Sequence, residues 1–243
     1  MNKISSAIAA ASLLLAAKAG AAYDGTITLT DDTSQYSFNN GGEFAAATTP
    51  TAGKPTLGNF QTFCIEYNEE FVPINWGGGQ VYNYIISSGA TSGDANTGHG
   101  SAIVANFDPI SIGTAWLYSQ FRAGALQGYD YTSGSGRSAT AGELQQAIWY
   151  FEDEISTIDN NNPFYLAAIA KFAASPDGAF ANANGAYGVV ALNLYSSSGG
   201  YAQDQLGQVV PEPATVIAAL LLLMPLGAST FRILQNRRVM AQK

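Results

Sequence analysis

The chain has 243 residues, 47% of them hydrophobic, 12% aromatic and only 12% charged, with 26 glycines. That composition fits strands and turns around a packed core better than disorder. The formal net charge is −8, and it is steeper in the middle: between residues 23 and 209 only Lys54, Arg122, Arg137 and Lys171 face seventeen Asp and Glu, so nucleic acid and anionic membrane surfaces are poor partners and polycations, divalent metals and amine-bearing targets better ones.

In chain order, residues 1–22 carry Lys3, then an Ala-, Ile- and Leu-rich stretch, then Ala19-Gly20-Ala21. That is the layout of a secretory signal peptide cleaved after Ala21 or Ala22. Tyr23 to Leu29 alternates and predicts a strand, Thr30 to Ser34 a turn, and the Gly-, Ala-, Thr- and Pro-rich stretch from Asn39 to Pro55 a loop. Asn59 to Tyr67 predicts a strand that puts Phe63 and Ile65 on the face opposite Cys64. Gly77-Gly78-Gly79 turns the chain into a further strand over Gln80–Ile86, and a glycine- and serine-rich loop runs on to Ser101.

Ile112, Trp116 and Ala123, with Leu117 and Phe121 beside them, predict a helix ending near Gly128. Thr140 and Glu143 form a capping box, followed by Leu144, Ile148, Phe151 and Ile155 on one helical face. Gln145 and Trp149, four residues apart, share the adjacent stripe near the core boundary. Asn162 before Pro163 opens a third helix reaching Phe172, and Tyr187 to Tyr195 returns to strand. Strands, helices and strands in this order predict an α+β fold: a mostly antiparallel sheet with inserted helices, forming one extracellular domain over residues 23–209.

Beyond it, Pro211-Glu212-Pro213 precedes an apolar run over residues 214–231, and Arg232, Arg237, Arg238 and Lys243 follow. Eighteen residues rising about 1.5 Å each just cover the hydrocarbon core of a bilayer, so the run predicts a transmembrane helix. Its basic end belongs on the cytoplasmic side. The order of motif, span and arginine-rich end over residues 210–243 resembles the PEP-CTERM sorting signal of Gram-negative bacteria. The resemblance implies an exosortase-type processing enzyme as a partner, the membrane as an anchor before processing, and delivery to the cell envelope, outer surface or extracellular matrix.

Several chemistries are excluded by count. Cys64 and His99 are the single cysteine and histidine, too few for a His/Cys zinc site. A Ser-His-Asp triad would have to use His99, which lies in a glycine-flanked loop without an elbow motif. Gly134-Ser135-Gly136-Arg137-Ser138-Ala139 has dinucleotide-fingerprint spacing but no buried parallel strand before it, and reads as a linker. Asp31-Asp32, Glu69-Glu70 and Glu152-Asp153-Glu154 lack the spacing of a calcium loop and read as solvated surface.

A lone thiol in an exported chain has no internal disulfide partner. It is either a small core hydrophobe or a reactive group whose partner is not cysteine. Phe63-Cys64-Ile65-Glu66 and Gln145-Gln146-Ala147-Ile148-Trp149 together resemble the two motifs of bacterial surface thioester domains of the adhesin type, with Leu144 where that family typically has Thr. The resemblance implies an internal thioester between Cys64 and Gln145, supported by Phe63, Glu66, Ala147 and Trp149. It implies no cofactor, no metal and no enzymatic turnover. The bond would capture, once, an amine on a surface or matrix partner, a polymer or protein bearing a nucleophile. The alternative expectation is a structural matrix protein that associates non-covalently or through calcium, with no thioester.

Overall fold

A computed structural model describes residues 23–31, 36–38, 41–92, 107–175 and 177–209. The signal-peptide segment, His99, the Pro-Glu-Pro motif, the apolar run over 214–231 and the arginines after it lie outside the described residues. Among the described residues no helix is long and apolar enough to cross a membrane.

The strands are β1 (Gly25–Thr30), β2 (Ser37–Phe38), β3 (Gly41–Gly42), β4 (Phe44–Pro50), β5 (Asn59–Thr62), β6 (Tyr82–Ser87), β7 (Gly89–Thr91), β8 (Phe107–Pro109), β9 (Val189–Tyr195) and β10 (Tyr201–Gln208). Three helices, α1 (Ile112–Arg122), α2 (Ser135–Phe151) and α3 (Pro163–Lys171), are inserted between β8 and β9. Six strands form one sheet in the order β10-β9-β6-β1-β4-β5, and every pairing in it is antiparallel.

The sheet curls until its two edges meet. Just past β5, Phe63 O accepts from Leu206 N at 3.0 Å and Ile65 N donates to Asp204 O at 3.0 Å, with Cys64 bridged to Gln205 between them. Closing two edges on each other satisfies main-chain groups that an open edge would expose. At the same point β10 carries an irregularity between Ala202 and Gln205. The Asp204 carboxylate there accepts from Leu194 N at 2.7 Å and Thr91 N at 2.9 Å, supplying acceptors where the ladder is interrupted.

One core lies between the helices and the sheet and contains Phe63, Ile65, Leu117, Leu144, Ile148 and Phe151. A second, built from Ile27, Leu29, Phe60, Tyr82, Tyr84 and Leu194, belongs to the strands alone. Phe63 and Ile65 thus lie in the helix-side core, as their alternation with Cys64 predicts.

Three sequence expectations are corrected, and one strand appears that the sequence did not announce. The loop expected over residues 39–55 contains β4, paired with β1 on one side and β5 on the other; its Ala- and Thr-rich sequence packs Phe44 and Ala46 inward and lacks only the bulky residues that mark a strand. The first helix ends at Arg122 instead of Gly128, because Ala123 caps it and Gly124, with φ of 68°, turns the chain away. The second helix begins at Ser135, so Thr140 is inside it, its hydroxyl donating back to the Gly136 and Arg137 carbonyls. Arg137 explains the extra turn: it pairs with buried Glu43, with Nε donating to Oε2 at 2.9 Å, and fixes that end of the helix to the chain before β4. Finally β10, with three Gln and one Asp in eight residues, has no apolar alternation to announce it, and yet it is buried along most of its length.

Asn162 and Pro163 cap α3 as expected, the Asn162 side chain accepting from Phe164 N and Tyr165 N at 3.0 Å.

Candidate functional site

The site lies where the sheet closes under α2. Cys64 is fully buried and has no disulfide. Gln145, Ala147 and Trp149 are buried along α2, and Glu66 is buried two residues after the cysteine. Gln145 and Trp149 therefore lie inside the core, deeper than the boundary position expected for them. Phe63 packs edge-on against Phe121, 5.1 Å between centroids, which anchors the main chain immediately before Cys64 in the helix-side core.

The Gln145 carboxamide is held by the main chain of Cys64 itself. Its Nε2 donates to Cys64 O at 2.8 Å, and its Oε1 accepts from Cys64 N at 3.2 Å. A second main-chain donor, Gly42 N, reaches the same oxygen at 2.9 Å. The side chain thus completes hydrogen bonding that a neighbouring strand would otherwise provide, and the carboxamide is held against the main chain of the residue that carries the thiol. Two N–H groups converging on a carbonyl oxygen stand where negative charge develops when a nucleophile adds to its carbon. Gly41 has to be glycine for this approach: a Cβ there would lie 2.5 Å from Trp149 Cζ2 and 2.9 Å from Gln145 Oε1.

A second glutamine touches the sulfur. Gln205 Nε2 donates to Cys64 Sγ at 3.3 Å and to Gln203 O at 3.3 Å, while Thr62 Oγ1 donates to Gln205 Oε1 at 3.4 Å. Thr62, on the same strand face as Cys64, also donates to Leu206 O at 2.7 Å, which ties the seam together. Sequence reasoning missed Gln205 because it missed β10. The signal that was there is the alternation of Gln203 and Gln205 between the Ser196–Gly200 turn and the proline motif.

Electrostatics oppose a standing thiolate. Burial pushes the Cys64 thiol well up, the Gln205 hydrogen bond pulls it partly back, and the nearby Glu66 raises it further. Glu66 and Asp204 are themselves buried together: Glu66 Oε2 accepts from Asp204 N at 2.6 Å. Burial, with each carboxyl near another acid, holds both well above the usual carboxylate range.

Trp149 closes the site on the α2 side. The far edge of its indole lies beside Gly41 and Gln145 Oε1. The Tyr67 ring meets the indole edge-on, 4.9 Å between centroids. Tyr67 N in turn donates to Glu154 Oε2 at 2.9 Å. Two aromatic rings thus keep bulk water from the carboxamide.

The acidic run Glu152-Asp153-Glu154, expected at the surface, is buried. Glu152 Oε1 accepts from Ser111 N at 3.1 Å and Ser111 Oγ at 2.7 Å, joining the end of α2 to the start of α1. Burial pushes Glu152 up to about 7 against the pull of those hydrogen bonds. Among the described residues no group of three or more His, Cys, Asp or Glu side chains is placed to hold a metal ion.

Comparison with protein-family models, curated proteins and solved structures gives no match for this chain.

Proposed function

We propose that this chain is an exported cell-surface or matrix protein that forms an internal thioester between Cys64 and Gln145 and uses it once to capture an amine covalently. The observation that carries the reading is the grip of the Cys64 main chain on the Gln145 carboxamide, with Cys64 N and Gly42 N both on its oxygen.

Bond formation follows from that arrangement. The Cys64 sulfur attacks the Gln145 carbonyl carbon, and the two N–H groups take the charge that builds on Oε1. The carbon–nitrogen bond breaks, the thiol proton ends on the departing nitrogen, and ammonia leaves. Because the thiol is held protonated by burial, formation depends on alignment more than on thiolate supply, the regime in which effective molarities of about 10⁵ M or more arise. The Gln205 N–H on sulfur stabilises the charge that appears there whenever the carbon–sulfur bond breaks. In capture, an amine attacks the same carbonyl carbon, an amide forms, and Cys64 is released as the thiol, with no turnover.

The terminal segments supply the setting in this reading. Residues 1–22 direct export, and Pro211-Glu212-Pro213, the apolar run over 214–231 and Arg232, Arg237 and Arg238 hand the chain to an exosortase-type enzyme.

Intact-mass measurement of the full chain tests the thioester. The expected mass is one ammonia below that of the sequence after allowance for terminal processing, with no deficit in Cys64→Ala or Gln145→Ala. Full mass with a titratable thiol in the unmodified chain would refute the reading.

A further inference from the structure

A cleft of about 450 Å³ lies directly outside the aromatic cover of the site, and its walls include Tyr67, Gln146, Trp149, Ile158 and Asp159. We propose that this cleft is the docking site for the captured nucleophile and that it selects a primary alkylammonium with a stem of several methylenes, of which the lysine side chain is the protein-borne form. The proposal rests on the thioester reading and adds the route and the selectivity.

Position is the first argument. Trp149 has one edge against Gly41 and the Gln145 oxygen and also lines the cleft, so the depth of one indole separates open space from the carboxamide. Tyr67 lines the same cleft and braces the indole edge-on. A small rotation of the indole would join cleft to carbonyl, and a ligand seated in the cleft is already next to the ring that has to move.

Chemistry is the second argument. Aromatic faces attract cations and pack against methylenes, and Ile158 adds an apolar wall. Asp159 places a carboxylate at the exposed side of the cleft, its Oδ1 fixed by Asn161 N at 2.9 Å. With only four basic residues against seventeen acidic ones over residues 23–209, the surrounding field favours a cation over an anion. An ammonium drawn to Asp159 carries its stem along the aromatic walls and leads with its nitrogen.

The step balances. The docked ammonium gives one proton to solvent and becomes the free amine. Its nitrogen adds to the Gln145 carbonyl carbon, the carbon–sulfur bond breaks, and the second proton lost from nitrogen ends on Cys64 sulfur. Excluding water until the amine arrives is what keeps the thioester from hydrolysis.

The test uses the full chain, with Nα-acetyl-lysine amide and methylamine as probes at equal free-base concentration and adduct formation followed by intact mass. The lysine probe is expected to react about tenfold faster than methylamine, the value of burying roughly two methylenes. Ile158→Trp, which fills the cleft, removes that preference while the ammonia deficit persists. Asp159→Asn, at an exposed position, slows both probes about two- to fivefold and also keeps the deficit. Equal rates for the two probes, or a preference unchanged in Ile158→Trp, with the deficit present, overturns the cleft assignment alone. Absence of the deficit from the unmodified chain overturns the thioester and the cleft together.

Discussion

Gly41→Ala perturbs the site without removing any group that reacts. The new methyl would stand 2.5 and 2.8 Å from two ring atoms of Trp149 and 2.9 Å from Gln145 Oε1, closer than real Cβ contacts come. The carboxamide cannot retreat freely, being fixed by Cys64 and Gly42, so the methyl is accommodated only by displacing the indole from its edge-on contact with Tyr67. Overpacking of this kind costs about 1–3 kcal/mol. For a protein of this size that lowers Tm by about 3–9 °C. If the methyl also pushes Oε1 off one of its two N–H donors, thioester formation slows by about 100-fold, the scale for losing one such donor. Gly77→Ala is the control, because a Cβ there meets nothing within 4 Å. Thermal unfolding and intact mass on both variants read the two effects separately. A Gly41→Ala chain with unchanged Tm and a full ammonia deficit would refute the close approach of Trp149, Gly41 and Gln145.

The buried carboxyls give a pH dependence with a definite sign. Glu152 moves from 4.5 to about 7 on folding, so its contribution is complete below 4.5 and is lost as pH rises through 7, up to roughly 3 kcal/mol in all. Glu66 and Asp204, also raised, act in the same direction. Tm should therefore fall between pH 5 and pH 8, and Glu152→Gln, which keeps an acceptor for Ser111, should flatten that fall; a wild-type Tm that rises over the window contradicts the burial of these acids. Gln205→Met keeps volume but removes the donor on sulfur, so the fraction of chain carrying the ammonia deficit should drop in freshly purified protein; an unchanged fraction would show that the 3.3 Å contact has no role in the chemistry.

What the sequence disclosed depended on how each residue earns its place. The helix face of α2 is apolar at regular spacing, so the stripe shared by Gln145 and Trp149 was legible before any coordinates; the choice of Gln145 as partner came from the motif resemblance, and in the structure its carboxamide hydrogen-bonds the Cys64 main chain. The cap of α3 was legible for a similar reason, since Asn162 and Pro163 act through local geometry. The start of α2 was not, because it is set by Arg137 reaching Glu43, a partner ninety-four residues away. Strand β10 stayed hidden because its buried Gln203, Asp204 and Gln205 are accommodated by hydrogen bonds to Glu66, Thr62 and Cys64, and polarity in a sequence ordinarily signals exposure. Half of the site follows from that strand: Cys64 and Gln145 could be paired on the page, but the seam that buries the sulfur and the glutamine that touches it could not.

The most direct measurement is the electron density between Cys64 Sγ and its two glutamine neighbours in a high-resolution crystal of the freshly purified full chain. Continuous density from Sγ to the Gln145 carbonyl carbon, with that side chain's nitrogen gone and the Gln205 carboxamide intact, is the predicted result. A free thiol beside two intact carboxamides, or a bond from sulfur to Gln205, would contradict it.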